Sequence, residues 1–332
     1  MTMPSLKSLT AAIAISVSAS TMVEAASLML SHVRPEGTAI DKDARVFAEE
    51  VAKATDGAVS IRLFPASALG DYTTVQEGLS IGSVDMAVQP PSSEVDRRFQ
   101  LAYLPYLVQN WEDAEKTFTD GAPLRETVEE LYAEQDIYVL GAWPVYFGGV
   151  ALNAKVENAT DPTVAKGARL RVPPMKSFQL MADNIGYIGS PLPFSDAFTA
   201  IQTGVVDGIM GSGAEGYYAS FRDVTQYYLP LNTHFEMWYL LINQPAYEAL
   251  TKDQQGALAA AAKRFETNRW KTVEADQARN EKLLEEAGAI IISASDEQIA
   301  EHATIVRKTV WPIILNDIGA DWANEVLDRA GR

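Results

Sequence analysis

The chain has 332 residues, enough for two domains with substantial cores, and its hydrophobic (47%) and charged (21%) contents are ordinary for a globular protein. The net charge of −17 and the pI near 4.6 argue against nucleic acid and anionic lipid as partners, because binding phosphate needs a basic surface. Cysteine is absent, which excludes disulfides and thiolate chemistry.

The first 25 residues have the pattern of a signal peptide. Lys7 supplies a positive charge, Leu9 to Val17 is a short apolar run, and Val23-Glu24-Ala25 fits a cleavage site with small side chains at its recognised positions. The alternative is an amphipathic helix that belongs to the mature fold. No later stretch reaches the ~18 consecutive apolar residues of a membrane span, so we expect a periplasmic protein without direct membrane insertion.

The first half of the chain alternates strands and helices. A helix is predicted where Ile40, Ala44, Phe47 and Val51 repeat at helical spacing. Asp71 is predicted to cap a second helix. Strands are predicted at Ser27 to Ser31, Val59 to Phe64, and Val84 to Val88. Such a β-α-β-α-β order favours a mostly parallel sheet with helices on both faces.

A second lobe is indicated further along the chain. A helical stretch from Trp111 to Gln135 and a strand from Ile137 to Trp143 lead to Gly148 and Gly149, where we expect the chain to leave the first domain. The segment Leu79 to Val88 then resembles the segment Ile201 to Met210. In each, the end of a predicted helix is followed by a glycine and then by Val-Asp at the start of a predicted strand. Chance similarity is the alternative, but the length favours two lobes of similar build.

The last third of the chain is mainly helical. After a strand at Trp238 to Ile242, a helix from Lys252 to Ala287 would span ~54 Å at ~1.5 Å per residue, which exceeds one lobe. A strand is predicted at Ala289 to Ser293, followed by helical structure from Asp296 to Leu327. The predicted lobes are 26–148 plus 237–276 and 149–236 plus 277–330.

Few patterns in the chain point to catalysis or a cofactor. Gly211-Ser-Gly-Ala-Glu-Gly216 matches a dinucleotide fingerprint after a strand, but Tyr227 to Pro230 makes a poor second strand of such a unit. No nucleophile elbow occurs, and the three histidines form no zinc-type pair. We therefore expect a protein that is not an enzyme and that holds no metal or cofactor.

Arg171 is the strongest candidate for a binding residue. It ends a predicted strand, immediately before Pro173, and ligands of open α/β sheets bind at the carboxyl ends of strands. Its guanidinium can hold a carboxylate with two hydrogen bonds. The alternative is a surface arginine in a helix-cap contact. Aromatic residues near other predicted strand ends would suit a closed, water-poor cleft: Trp143, Tyr146, Phe178, Phe194 and Trp238.

Several motifs resemble the DctP-type substrate-binding proteins of tripartite ATP-independent periplasmic (TRAP) transporters. The resemblance covers essentially the whole mature chain in order, in the segments Phe64-Pro-Ala-Ser-Ala-Leu-Gly70, Gly82-Ser-Val-Asp-Met86, Leu104-Pro-Tyr-Leu107, Lys166-Gly-Ala-Arg-Leu-Arg-Val-Pro173, Gly189-Ser-Pro-Leu-Pro193 and Ala200-Ile-Gln-Thr-Gly-Val-Val-Asp-Gly208. It implies the two-lobed α/β fold of periplasmic binding proteins (type II-like), with a long helix spanning both lobes. The family captures solutes by hinge closure and delivers them to small and large integral membrane subunits.

The resemblance also implies roles for particular residues. Arg171 matches the family's signature arginine, which pairs with the substrate carboxylate, and Phe194 matches an aromatic that packs on the substrate. Two positions depart from the family. Gly211 stands where many members carry an asparagine, and no arginine lies near Val150, where binders of sugar acids and dicarboxylates have a second one.

With one expected cleft arginine, we predict a small carboxylate ligand: a monocarboxylate, a keto or hydroxy acid, or a zwitterion whose cation faces aromatic rings or Glu215. We also expect His32, in the loop after the first strand, to contact the ligand. The predicted ligand-binding set is Arg171, Phe194, Trp143, Tyr146, Phe178, Gly211, Glu215, Trp238 and His32. Alternative functions are an exported enzyme acting on small organic acids and a ligand-sensing module of a membrane receptor.

Overall fold

Two β-sheets organise the protein. The computed structural model describes residues 26–332, so the predicted signal peptide lies outside the described residues. The first sheet has the order β2-β1-β3-β10-β4, with β10 and β4 antiparallel to their neighbours. Its strands are β1 (Ala26–Ser31), β2 (Val59–Phe64), β3 (Met86–Gln89), β4 (Ile137–Phe147) and β10 (Phe235–Asn243). The early β-α-β pattern therefore forms the parallel part of this sheet, as predicted.

The second sheet has six strands in the order β11-β9-β5-β8-β6-β7. Within it, β6 is parallel to both β7 and β8, which brings the carboxyl ends of these three strands to one edge. Its strands are β5 (Gly149–Leu152), β6 (Arg169–Val172), β7 (Ile188–Pro191), β8 (Gly208–Ser212), β9 (Tyr227–Leu229) and β11 (Ile290–Ile291). The expected two-lobed α/β fold is thereby confirmed.

Helices flank both sheets. They are α1 (Ala39–Ala54), α2 (Tyr72–Ser80), α3 (Trp111–Phe118), α4 (Pro123–Ala133), α5 (Lys176–Asn184), α6 (Phe194–Gln202), α7 (Ala214–Gly216), α8 (Gln244–Glu248), α9 (Lys252–Glu286), α10 (Asp296–Thr309), α11 (Trp311–Ile318) and α12 (Ala320–Arg329). The Asp71 side chain caps α2 by accepting a hydrogen bond from the Thr73 backbone N–H at 2.9 Å. In α1 the residues predicted to face the core, among them Phe47 and Val51, are buried.

The two sheets are joined at Gly148. β4 passes directly into β5 through this residue, while the backbones of Thr233 and His234 cross beside it on the way to β10. The Gly148 N–H donates to the His234 carbonyl at 2.8 Å, and the Thr233 N–H donates to the Gly148 carbonyl at 2.9 Å. A Cβ on Gly148 would lie 2.1 Å from the His234 ring, so only glycine permits this approach. The predicted exit of the chain at Gly148 thus coincides with a crossing of two strands.

The long helix α9 runs along these crossing strands and reaches both lobes. Three of its side chains hold the backbone of β4: Glu266 accepts from the Ala142 N–H at 2.8 Å, Arg269 donates to the Pro144 carbonyl at 2.8 Å, and Gln277 accepts from the Phe147 N–H at 2.7 Å. Its last turns pack on α7 and β11 of the second sheet. The prediction of one helix spanning both lobes is confirmed.

Two sequence-based element predictions need correction. The stretch from 111 to 135 is two helices rather than one, because Gly121 adopts a φ of 80° and Pro123 starts α4. The strand expected at 289–293 is only β11. The C-terminal stretch is helical, as predicted, and consists of three helices. Of these, α11 and α12 pack on residues 97–103 and on α4, which belong to the predicted first lobe. The lobe boundaries themselves remain predictions.

Candidate ligand-binding site

A small cavity lies between the two sheets. It is bordered by the loops after β1, β3 and β6 and by parts of β4, β8 and β10. Its wall consists of Val33, Arg34, Tyr72, Pro90, Tyr103, Tyr146, Arg171, Pro173, Met175, Phe178, Phe194, Gly211, Glu236 and Trp238. The site is therefore an apolar, largely aromatic chamber with three charged side chains.

Arg171 is a buried cation without an acidic partner. Its side chain is 1% exposed, and its Nε donates to the Leu192 carbonyl at 2.8 Å. No carboxylate in residues 26–332 lies within 4.0 Å of its guanidinium, although Phe194 lies 5.7 Å from it as a cation–π partner. Burial lowers the pKa of Arg171 below its ordinary value. Because an isolated buried charge is costly, this guanidinium is suited to receive an anion.

Arg34, in the loop after β1, is a second cavity arginine that the sequence analysis did not identify, so the expectation of a single cleft arginine is wrong. It is 1% exposed, and its Nη2 lies 2.8 Å from Oε2 of Glu215. Burial is the largest effect and opposes its charge, but Glu215, with smaller contributions from Tyr146 and Glu236, outweighs burial and raises the Arg34 pKa. Its guanidinium also stacks 4.8 Å from Trp238. Unlike Arg171, Arg34 is already neutralised within the protein.

Glu236 is the third charged residue of the wall and was also not identified. It lies on β10 and is 6% exposed. One carboxylate oxygen, Oε1, accepts a hydrogen bond from Trp238 Nε1 at 2.6 Å. The other, Oε2, lies 3.3 Å from Nε2 of His234, whose Nδ1 lies 3.0 Å from the Thr233 hydroxyl. A carboxylate thus faces the same chamber as Arg171.

Tyrosine hydroxyls add neutral polar groups to the wall. The Tyr103 hydroxyl donates to the Met237 carbonyl at 2.7 Å. Burial raises the pKa of Tyr72, Tyr103 and Tyr146 above the ordinary value, so all three stay protonated at neutral pH. They supply apolar area and hydroxyl groups rather than charge.

The structure brings together six of the nine predicted site residues. The cavity wall contains Arg171, Phe194, Tyr146, Phe178, Gly211 and Trp238. Trp143 lies behind it: its ring is 5.8 Å from that of Trp238, and its Nε1 donates to Asp43 at 2.8 Å. His32 is buried elsewhere, with its Nε2 3.3 Å from Asp41. These two residues do not line the cavity.

Glu215 lies outside the cavity wall as well. It holds Arg34 from behind and borders a separate, solvent-open groove of about 1830 Å³ along α9. That groove contains neither Arg171 nor Glu236, and its residues are of mixed charge. The expectation that Glu215 faces a ligand cation therefore needs correction, because its carboxylate is occupied by Arg34.

The glycine-rich loop after β8 has a packing role. The helix that follows it, α7, has three residues and continues into a π-helical turn at 217–221, unlike the long helix of a dinucleotide site. A Cβ on Gly216 would lie 2.1 Å from the Ser212 hydroxyl and 2.6 Å from Nη2 of Arg34. Gly211 has a φ of 92° and contacts Pro173. These glycines let the loop close onto Arg34 and the end of β6.

Comparison with known proteins identifies the family. Residues 30–313 match the family described as bacterial extracellular solute-binding protein, family 7 (DctP). The chain belongs to this family. A solute-binding protein of Albidiferax ferrireducens is 28% identical over 301 residues, 87% of this chain and 86% of that protein. Membership confirms the resemblance stated above and the expectation of a TRAP solute-binding protein rather than an enzyme.

Solved structures share the fold. The extracytoplasmic solute receptor DctP7 of Bordetella pertussis has a TM-score of 0.82 and 23% identity, covering 93% of this chain and 100% of that chain. A TRAP periplasmic solute-binding protein of Haemophilus influenzae has a TM-score of 0.83 and 22% identity, covering 92% and 99%. Identities this low support a shared architecture.

Residues 26–332 contain no candidate membrane span and no candidate metal site. None of the helices in this part of the chain combines the length and apolarity needed to cross a membrane. Within the same residues, no cluster of three or more His, Cys, Asp or Glu side chains is arranged to hold a metal ion.

Proposed function

We propose that this DctP-family protein captures a small carboxylate-containing solute between its lobes: a monocarboxylate, a keto or hydroxy acid, or a zwitterion. The observation that carries the proposal is Arg171, a buried guanidinium whose only protein partner within hydrogen-bond distance, among the described residues, is the Leu192 carbonyl. A ligand carboxylate would supply its missing counter-charge and accept two parallel hydrogen bonds. Phe178, Phe194 and Trp238 would cover the apolar part of the solute.

The chamber favours small ligands over dicarboxylates and large sugar acids. Arg34 is neutralised by Glu215 and is therefore a poor site for a second carboxylate. Aromatic rings and prolines occupy most of the wall, and the Tyr103 hydroxyl is already bonded to the Met237 carbonyl, so the surface that a solute meets is mainly apolar. Pyroglutamic acid is bound by the Bordetella receptor and L-gulonate by the Haemophilus protein. Of these two, pyroglutamic acid is the better match in size and polarity.

Binding is proposed to proceed by closure of the lobes. Arg171 and Phe194 come from the second-sheet lobe, whereas Trp238 and Glu236 lie on β10 of the first sheet. A solute that contacts both sets favours the closed state over an open, hydrated one. The closed form would then deliver the solute to the small and large integral membrane subunits. Export through cleavage of the first 25 residues would place the protein in the periplasm.

Identification of co-purifying solutes tests this function directly. Native mass spectrometry of the mature protein should detect a small acid that is released on denaturation. Calorimetric titration with monocarboxylates, keto acids, ectoine-like zwitterions and uronates should then show binding in the first three classes. Tight binding of a uronate or a dicarboxylate would contradict the size and charge preference. A bound solute without a carboxylate would contradict the role of Arg171.

A further inference from the structure

Glu236 has hydrogen-bond acceptor positions that are not used when a ligand carboxylate binds Arg171. It is a buried acidic side chain in the wall of the chamber that contains Arg171, and repulsion from a ligand anion would be the simplest consequence of its charge. We infer that Glu236 selects solutes that carry an N–H donor in addition to the carboxylate, such as an amino-acid-like zwitterion or a lactam acid. This inference rests on the proposed function and narrows its ligand class.

The first support is the unused hydrogen-bonding capacity of Glu236. An ionised carboxylate offers about four acceptor positions. Within the described residues, Trp238 Nε1 is the one hydrogen-bond donor to it, at 2.6 Å. The imidazole of His234 lies 3.3 Å from Oε2 but lacks the geometry of a hydrogen bond. Acceptor positions on Glu236 are therefore free for a ligand.

The second support is the balance of charge. Arg34 and Glu215 form an ion pair, so they neutralise each other. In residues 26–332, Arg171 has no acidic partner within 4.0 Å, and Glu236 has no lysine or arginine within that distance. The indole of Trp238 is neutral and does not compensate the carboxylate. A zwitterion would pair both charges at once, whereas a simple monoanion would pair one and leave Glu236 uncompensated.

The third support is the rigidity of the carboxylate. Trp238 fixes Oε1 from one side, and the Trp238 ring itself is clamped between Trp143 at 5.8 Å and the Arg34 guanidinium at 4.8 Å. His234 is held by the Thr233 hydroxyl and packs edge-on against Phe178 at 4.7 Å. A carboxylate whose Oε1 is held by this indole is preorganised as an acceptor, which favours specificity over loose attraction.

Matched ligand pairs provide the test. Pyroglutamate is compared with its lactone analogue, in which the ring oxygen replaces the N–H, and proline with cyclopentanecarboxylate. In each pair, pyroglutamate or proline is the member that carries the N–H. Calorimetry on the native protein should show at least about tenfold tighter binding of this N–H member than of its partner, as expected for a charge-assisted hydrogen bond. Glu236→Gln should lower the affinity for that member and leave its partner unchanged or improved. Glu77→Gln, on the exposed face of α2, serves as the control.

Several outcomes would overturn the inference. Equal binding of both members by native protein would mean that Glu236 does not contact the ligand N–H. A preference that persists in Glu236→Gln would place the N–H contact elsewhere. Two further results would count against the inference. One is that no compound with an N–H binds, and the other is that binding is lost when a metal chelator is added. The native ligand pairs give a result even if the variant does not fold.

The results that would overturn the proposed function differ from those that would overturn the inference on Glu236. If Arg171→Lys weakens both members of each pair equally, carboxylate capture stands whatever the result for Glu236. If the co-purified solute is a carboxylate without N–H, the inference is overturned and the function stands. If that solute has no carboxylate, the proposed function itself is overturned.

Discussion

The Arg34 guanidinium and the Glu215 carboxylate form a buried ion pair between residues 181 positions apart in the chain, with Nη2 and Oε2 at 2.8 Å. Arg34 belongs to the loop after β1 of the first sheet, and Glu215 lies in α7, directly after β8 of the second. The pair therefore connects the two lobes at the border of the cavity. Because the pair occupies the Arg34 guanidinium, it removes one cation from the set available to a ligand.

Glu215→Gln is predicted to weaken this connection. Removing one charge leaves the buried Arg34 guanidinium without its ion-pair partner, which costs about 3–5 kcal/mol in the free energy of unfolding. Denaturant titration measures that loss, and small-angle scattering of the ligand-free variant should show a larger radius of gyration. The control is Glu36→Gln, which removes an exposed partner of Arg45 and should change little. Equal losses in both variants would show that the buried pair does not hold the lobes.

Arg171→Lys is predicted to weaken ligand binding by more than about tenfold, because an ammonium group cannot form the two parallel hydrogen bonds of a guanidinium. Isothermal titration with the identified solute measures the change. Arg169→Lys is the matched control, since Arg169 lies on the same strand but its side chain is 48% exposed and faces Asp207. If both variants bind as tightly as the native protein, the carboxylate is held elsewhere.

The sequence predicted the position of Arg171 because that position follows from local order. A cation at the end of a short strand, followed by two prolines, must lie at the carboxyl edge of the sheet. Arg34 satisfies the same rule, since it follows β1 in the loop from His32 to Pro35, so its place at this edge could be predicted from the sequence. Its pairing with Glu215 is a tertiary contact that no local pattern indicates.

The sequence does not show which aromatic side chains of β4 and β10 line the cavity, because both faces of these strands are buried. All nine residues of β10 are buried, and so are the last seven of β4, so alternation along these strands does not show which side chains face the cavity. Trp143 and Trp238 were therefore equivalent in the sequence, yet only Trp238 lines the site. Glu236 did indicate in the sequence that β10 faces a polar site, because an acidic residue is rarely buried in an apolar strand without a polar partner.

Gly216→Ala is predicted to disturb the site, since the new Cβ would lie 2.6 Å from Nη2 of Arg34 and 2.1 Å from the Ser212 hydroxyl. Displacement of Arg34 should weaken ligand affinity and lower the melting temperature. The matched control is Gly256→Ala in the interior of α9, where nothing lies within 4 Å of the added atom. There the same substitution should stabilise the protein by about 0.5–1 kcal/mol. Similar effects of both substitutions would contradict a specific role for the loop.

Acidification is predicted to destabilise the protein through His302. This residue is fully buried in α10, and its Nε2 lies 2.9 Å from the Thr160 carbonyl. Burial lowers the pKa of His302 below its ordinary value of 6.5, an effect that the Thr160 hydrogen bond opposes without reversing. Below that pH the unfolded chain binds more protons than the folded protein. The stabilisation is therefore complete above the unfolded pKa and is lost progressively as the pH falls from that value through the lower folded pKa.

His302→Gln separates this contribution from other titrations. Glutamine does not titrate, and its amide can still donate to the Thr160 carbonyl, so the free energy of unfolding should fall less steeply between about pH 7.5 and 5.5. A residual slope should remain, because burial also lowers the pKa of His32. Chemical denaturation of ligand-free protein at several pH values measures both slopes. An unchanged slope in the variant would show that His302 does not contribute to the acid sensitivity.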